Sequence, residues 1–102
     1  MAIIELGLGL VSIGRRWGVR DVAPPPPEEA IALIEAAVAA GIRFFDTAPA
    51  YGASEDLLGR ALRGGGFDAS RVTIATKFGE HWNADTATPF ADHRYDALAA
   101  SL

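Results

Sequence analysis

Asp46, Tyr51 and Lys77 are residues that could move a proton together. Asp46 opens the run Asp46-Thr47-Ala48-Pro49-Ala50-Tyr51-Gly52, and Lys77 lies in Ala75-Thr76-Lys77-Phe78-Gly79. Hydride addition to a carbonyl builds negative charge on oxygen, so a proton donor must meet it. A free tyrosine, with a pKa of about 10, gives up its proton reluctantly at neutral pH. An ammonium beside it favours the phenolate, and a carboxylate can fix where that ammonium sits. Tyr51 as acid, Lys77 as its tuner and Asp46 as anchor are therefore a coherent set for reducing a carbonyl. A plainer reading stands beside it, because an aspartate at a strand end often only caps the next turn.

The surrounding elements decide whether these groups can meet. Ile3 to Leu10 is apolar and reads as a buried strand. A loop from about Ser12 to Pro27 follows, holding Gly14, Arg15, Arg16, Trp17, Gly18 and a run of prolines. The last proline suits a helix's first turn, and Glu28 and Glu29 suit its positive end. The helix continues through the Ala-, Leu- and Glu-rich stretch from Ala30 to Ala40, and Gly41 stops it. Ile42 to Asp46 is a second strand. Ser54 is placed to N-cap a second helix, which Gly64-Gly65-Gly66 terminates. Arg71 to Lys77 reads as a third strand, a polar loop with Gly79, Asn83, Asp85 and Pro89 follows, and a last helix begins near Asp92.

Strand–helix alternation implies parallel strands with right-handed crossovers. Spacing alone fits a doubly wound sheet or the opening third of a (β/α)8 barrel. In either, reacting groups gather at the carboxyl ends of the strands. Asp46 and Lys77 would then sit at neighbouring strand ends about 4.8 Å apart, with Tyr51 in the loop above them.

Composition narrows the classes. Half of the 102 residues are hydrophobic, enough to form a core. Nine basic against thirteen acidic residues leave a formal charge of −4. The absence of a basic block argues against nucleic acid or an anionic membrane as partner. With no cysteine, disulfides and thiolate metal sites are excluded. No apolar run approaches the roughly 20 residues of a membrane-spanning helix. The expectation is a soluble, cytoplasmic protein.

The literal motif Gly41-Ile42-Arg43-Phe44-Phe45-Asp46-Thr47-Ala48-Pro49-Ala50-Tyr51-Gly52, with Ser54-Glu55 and Leu58-Gly59-Arg60-Ala61-Leu62, closely resembles the signature of the aldo-keto reductase family. Ala75-Thr76-Lys77-Phe78-Gly79 resembles that family's lysine strand, and Gly7-Leu8-Gly9 with Arg16-Trp17-Gly18 its first unit. The resemblance implies a TIM-type (β/α)8 barrel, with residues 1–102 as its N-terminal part of about three βα units, ending before the fourth strand. It implies reversible reduction of aldehydes and ketones with NADPH, less often NADH, bound without a Rossmann fold. It makes Asp46, Tyr51 and Lys77 three of four catalytic positions, with Tyr51 the general acid and Asp46 also at the nicotinamide end.

The fourth position is a histidine on the next strand, expected past Leu102. His81 lies four residues after Lys77 and does not match it; His81 reads as a loop residue, facing solvent or, as the lesser alternative, lining the substrate pocket with Trp82, and His93 as a surface one. Most cofactor-gripping residues belong to the second half of such a barrel, so this chain alone is expected to lack activity. Trp17 and Trp82 are candidates for the substrate pocket; for Trp17, simple cover of the rim is an equal alternative. Gly7-Leu8-Gly9 lacks the third glycine of a dinucleotide fingerprint, and no metal site is expected. Two rival functions remain: a regulatory or binding protein on the same barrel, and an inactive fragment.

Overall fold

A computed structural model describes residues 5–64, 66 and 68–96 of the chain. Three short strands, β1 (Gly7–Gly9), β2 (Phe44–Asp46) and β3 (Thr73–Ala75), form a parallel sheet in sequential order. The register pairs Gly9 with Asp46 and Asp46 with Ala75. Each strand is shorter than its apolar run, but backbone bonds prolong the ladder at both ends. Thr73 N donates to Arg43 O, Leu10 N to Asp46 O, and Thr47 N to Ala75 O.

Two helices supply the crossovers, α2 (Pro27–Ala39) and α3 (Ser54–Gly64). Pro27 occupies the first turn of α2, where a missing N–H costs nothing, and Glu28 and Glu29 follow it there. At the other end Gly41 turns at φ +101°, a left-handed conformation that ends the helix. Its N–H donates to Val38 O, and Arg43 Nη1 donates to the same carbonyl at 2.7 Å. Ala30, Ile34, Ala37 and Val38 line one face of α2, and Leu57, Leu58 and Ala61 one face of α3. These faces meet Phe45, which is fully buried, together with Leu10 and Ile13. Period-two alternation explains the split: Phe45 points into this core, so Phe44 and Asp46 point to the opposite face.

The loop expected between Ser12 and Pro27 contains structure. A single helical turn, α1 (Val11–Gly14), buries Ile13 against the core. Beyond it, Trp17 and Val22 form an antiparallel bridge around a turn in which Gly18 and Asp21 take positive φ. The polar loop expected after Lys77 is instead a hairpin of β4 (Glu80–Asn83) and β5 (Thr88–Ala91). Its turn is built by Asn83, whose Oδ1 accepts from Asp85 N and Thr86 N, and by Ala87 at φ +53°. Polar composition hid the alternating apolar positions of a two-stranded ribbon. The expected last helix lies mostly outside the described residues, as do residues 3 and 4 of the expected first strand. Among the described residues no helix is long and apolar enough to cross a membrane.

Strands β1 and β3 each leave one edge unpaired among the described residues, and Leu6, Phe44, Ile74 and Phe78 are exposed. Open parallel edges and uncovered apolar side chains favour association. The isolated 102-residue chain is expected to self-associate in analytical ultracentrifugation; a monodisperse monomer with a cooperative melt would contradict this.

Candidate active site

The site forms where β2 and β3 end. Asp46 and Ala75 are paired in register, and Lys77, two residues beyond Ala75, returns to the same sheet face. Lys77 Nζ donates to Asp46 Oδ1 at 2.7 Å and to Thr47 O at 3.0 Å. The ammonium also lies 4.8 Å from the centroid of the Tyr51 ring, within cation–π range. One contact each from a carboxylate, a carbonyl and a phenol ring thus surrounds a single cation.

The hydrogen bond to Asp46 raises the Lys77 pKa above its ordinary value; partial burial opposes this, and Tyr51 adds to the rise. Lys77 is therefore an ammonium throughout the neutral range. Both side chains remain nearly half exposed, at 47% and 46%, so solvent screens the pair and its worth to stability is small. What the contact fixes is position.

Tyr51 is held through its backbone. Its N–H donates to Ala48 O and its carbonyl accepts from Ser54 N, closing a turn on which Ala48 and Ala50 are buried. Gly14 and Gly52 meet back to back, with Ala53 N donating to Gly14 O at 3.1 Å. A Cβ on Gly14 would fall 1.8 Å from Tyr51 O, and one on Gly52 2.0 Å from Gly14 O. Gly52 also sits at φ +60°. Below this turn, the buried Thr47 and Ser54 hydroxyls share a 2.6 Å hydrogen bond. Ser54, expected as the residue capping this helix, is its first residue, and its side chain ties the end of β2 to the start of α3.

The tryptophans converge on a residue that the sequence reading passed over. Arg15 lies 5.8 Å from the Trp17 ring centroid and 5.1 Å from that of Trp82, and its Nη1 donates to Ala50 O at 3.1 Å. Trp82 belongs to β4, and Trp17 is 54% exposed. The available signal was a pair of arginines directly before an indole in Gly14-Arg15-Arg16-Trp17. His81 also departs from the solvent-facing loop expected of it: it lies half-buried on β4, stacks on Phe90 at 5.3 Å, and its Nε2 meets Asp92 O. It is used by the hairpin and does not reach the Asp46–Lys77 pair. His93 is exposed and covers Gly79. A cavity of about 520 Å³ opens at the other ends of the strands, between Glu5, Gly7, Gly41, Arg43, Phe44 and Thr73. It faces away from the chemistry-bearing residues, and the strand-end cluster is the better candidate.

Two predictions follow from this geometry. Gly14→Ala must push backbone against backbone, so it should destabilise the chain by about 1–3 kcal/mol, seen as a lowered melting temperature. The raised Lys77 pKa means that folding favours the protonated form. That contribution is whole below the ordinary lysine value of 10.5 and fades as pH climbs through the higher folded value. Lys77→Met should flatten this alkaline fall when denaturation midpoints are compared with the parent across pH; superimposable profiles would contradict it.

A sequence model of the aldo/keto reductase family matches residues 5–100. Aldo-keto reductases of Mycobacterium sp. strains KMS and JLS are each 41% identical over 77 residues, covering 76% of this chain and 24% of theirs. The chain thus spans about a quarter of the length of these curated relatives. A Pseudomonas aeruginosa protein, solved as a candidate aldo-keto reductase, superposes with a TM-score of 0.71 at 36% identity, covering 99% of this chain and 36% of its own. The aldo-keto reductase of Bacillus halodurans shares the fold with a TM-score of 0.72 at 24% identity, over 95% of this chain and 29% of its own. With the match running from the first described strand to beyond the hairpin, this chain belongs to the aldo/keto reductase family.

Proposed function

We propose that this chain supplies the proton-handling half of an NAD(P)H-dependent carbonyl reductase, as the opening units of a (β/α)8 barrel. One observation carries the reading: the Lys77 ammonium, hydrogen-bonded to Asp46 at 2.7 Å, lies against the Tyr51 ring. A carbonyl oxygen gaining charge above this cluster would meet Tyr51 as its acid. Lys77 would favour the phenolate left behind, and Asp46 and Thr47 would keep Lys77 from swinging away.

The residues present suit the nicotinamide end of the cofactor. Among the described residues Asp46 Oδ1 is engaged by Lys77 while Oδ2 has no hydrogen-bond partner, so one carboxylate oxygen can accept from a bound nucleotide. When bound, the cofactor supplies the hydride that the carbonyl carbon receives. Asp46, Tyr51 and Lys77 then have separate duties: Tyr51 releases a proton to the new alkoxide, Lys77 stabilises the resulting negative charge, and Asp46 orients Lys77. The substrate would be an aldehyde or ketone entering past Trp17 and Trp82. NADPH is the preferred cofactor on family grounds, with NADH as the variant.

The test is made in a polypeptide carrying the complete barrel. Tyr51→Phe should lower kcat by about 10²–10⁴-fold while NADPH binding, followed by fluorescence, stays unchanged. An unaltered reduction rate would remove Tyr51 from the role.

A further inference from the structure

We infer that Arg15, Trp17 and Trp82 form a subsite for a planar anionic group, so that the substrate is a carbonyl compound also carrying a carboxylate on an aryl or conjugated frame. This inference rests on the reductase reading for the word substrate, but the subsite itself stands on geometry. Arg15 has five N–H donors. Among the described residues one meets Ala50 O at 3.1 Å and one meets Arg16 O at 3.4 Å. Among the described residues the other three have no partner, and no carboxylate lies within ion-pair distance.

Its neighbour shows the contrast. Arg16 is committed to Asp21, through both a carboxylate oxygen at 3.1 Å and the carbonyl at 2.7 Å. In a chain of net charge −4, Arg15 is a guanidinium with no ion pair among the described residues, so its charge is available to an anion. Two indoles within 5.8 Å and 5.1 Å give flat apolar surface beside it. An arginine lying on aromatic rings keeps its in-plane donors for hydrogen bonds, and the Arg15 donors not used by Ala50 and Arg16 can meet a carboxylate. The anchor at Ala50 sets the guanidinium one residue from Tyr51. An acidic group held there would leave the remainder of a short planar molecule close to the proposed proton donor.

Trp17 and Trp82 are the chain's two tryptophans, so intrinsic fluorescence reports from the subsite itself. The chain is titrated with benzoate and, at equal ionic strength, with neutral benzamide. Benzoate should give a saturable change, with benzamide weaker by roughly tenfold or more, as expected for losing a charged hydrogen bond. Arg15→Met should abolish saturation, Arg15→Lys should weaken it because lysine lacks the planar fork, and Arg16→Met should leave it intact. A non-saturating benzoate response, equal binding of benzamide, undiminished binding by Arg15→Lys, or the same loss in Arg16→Met overturns the inference. If Arg15→Met fails to fold by circular dichroism, the parent's benzoate–benzamide comparison and the lysine variant decide. The readout needs neither cofactor nor turnover, so its failure leaves the reductase reading standing. Loss of that reading, in turn, would leave a measured anion subsite.

Discussion

The contact between Lys77 and the end of β2 is the constraint on which the site depends. A lysine side chain is long and loses much rotamer freedom when it is held, so one acceptor in solvent would not fix it. Here Asp46 and Thr47 present a carboxylate and a carbonyl from successive residues, and both are reached from one ammonium. That is possible because β2 and β3 run parallel with Asp46 opposite Ala75. A slip of one residue in β3 would turn Lys77 to the helical face, and one in β2 would bring Phe45 out of the core. The register that buries Phe45 is therefore the same register that assembles the polar cluster.

Around this contact the fold uses rigid joints. The Gly14–Gly52 approach and the Thr47–Ser54 hydroxyl bond hold the Tyr51 turn from two sides. Neither joint uses the side chain of Asp46, Tyr51 or Lys77. Both act by leaving the Tyr51 backbone no room to move. Position, more than stabilisation, is what the loop residues contribute, since the ion pair itself is too exposed to add much to folding.

How far the sequence could be read follows from the physics of each segment. That Asp46, Tyr51 and Lys77 would meet at neighbouring strand ends was legible from the strand pattern, while the roles assigned to them came from the motif's resemblance to a family. Helix α2 was legible from Pro27, its two glutamates and Gly41, all of which act locally. The hairpin was not, since its signal is carried by an Asn83 turn and a positive-φ alanine, neither of which has a distinctive sequence. Ser54 has the composition of a cap, but Thr47 lies close enough to claim its hydroxyl, a tertiary preference that local sequence cannot express. Arg15 was missed for the same reason: its meaning comes from Ala50 and Trp82, which lie far along the chain.

The Asp46–Lys77 hydrogen bond spans 31 positions, and both acceptors of Lys77 precede it in the chain. During synthesis, then, Lys77 leaves the ribosome when everything it will bond to has already been made. Chains assemble from the amino terminus, and contacts of short sequence separation close fastest. The cation of the site can be fixed by upstream residues alone, so its assembly has no need to wait for any later part of a polypeptide. In temporal terms, the Asp46–Lys77 contact draws only on residues already synthesised when Lys77 is added.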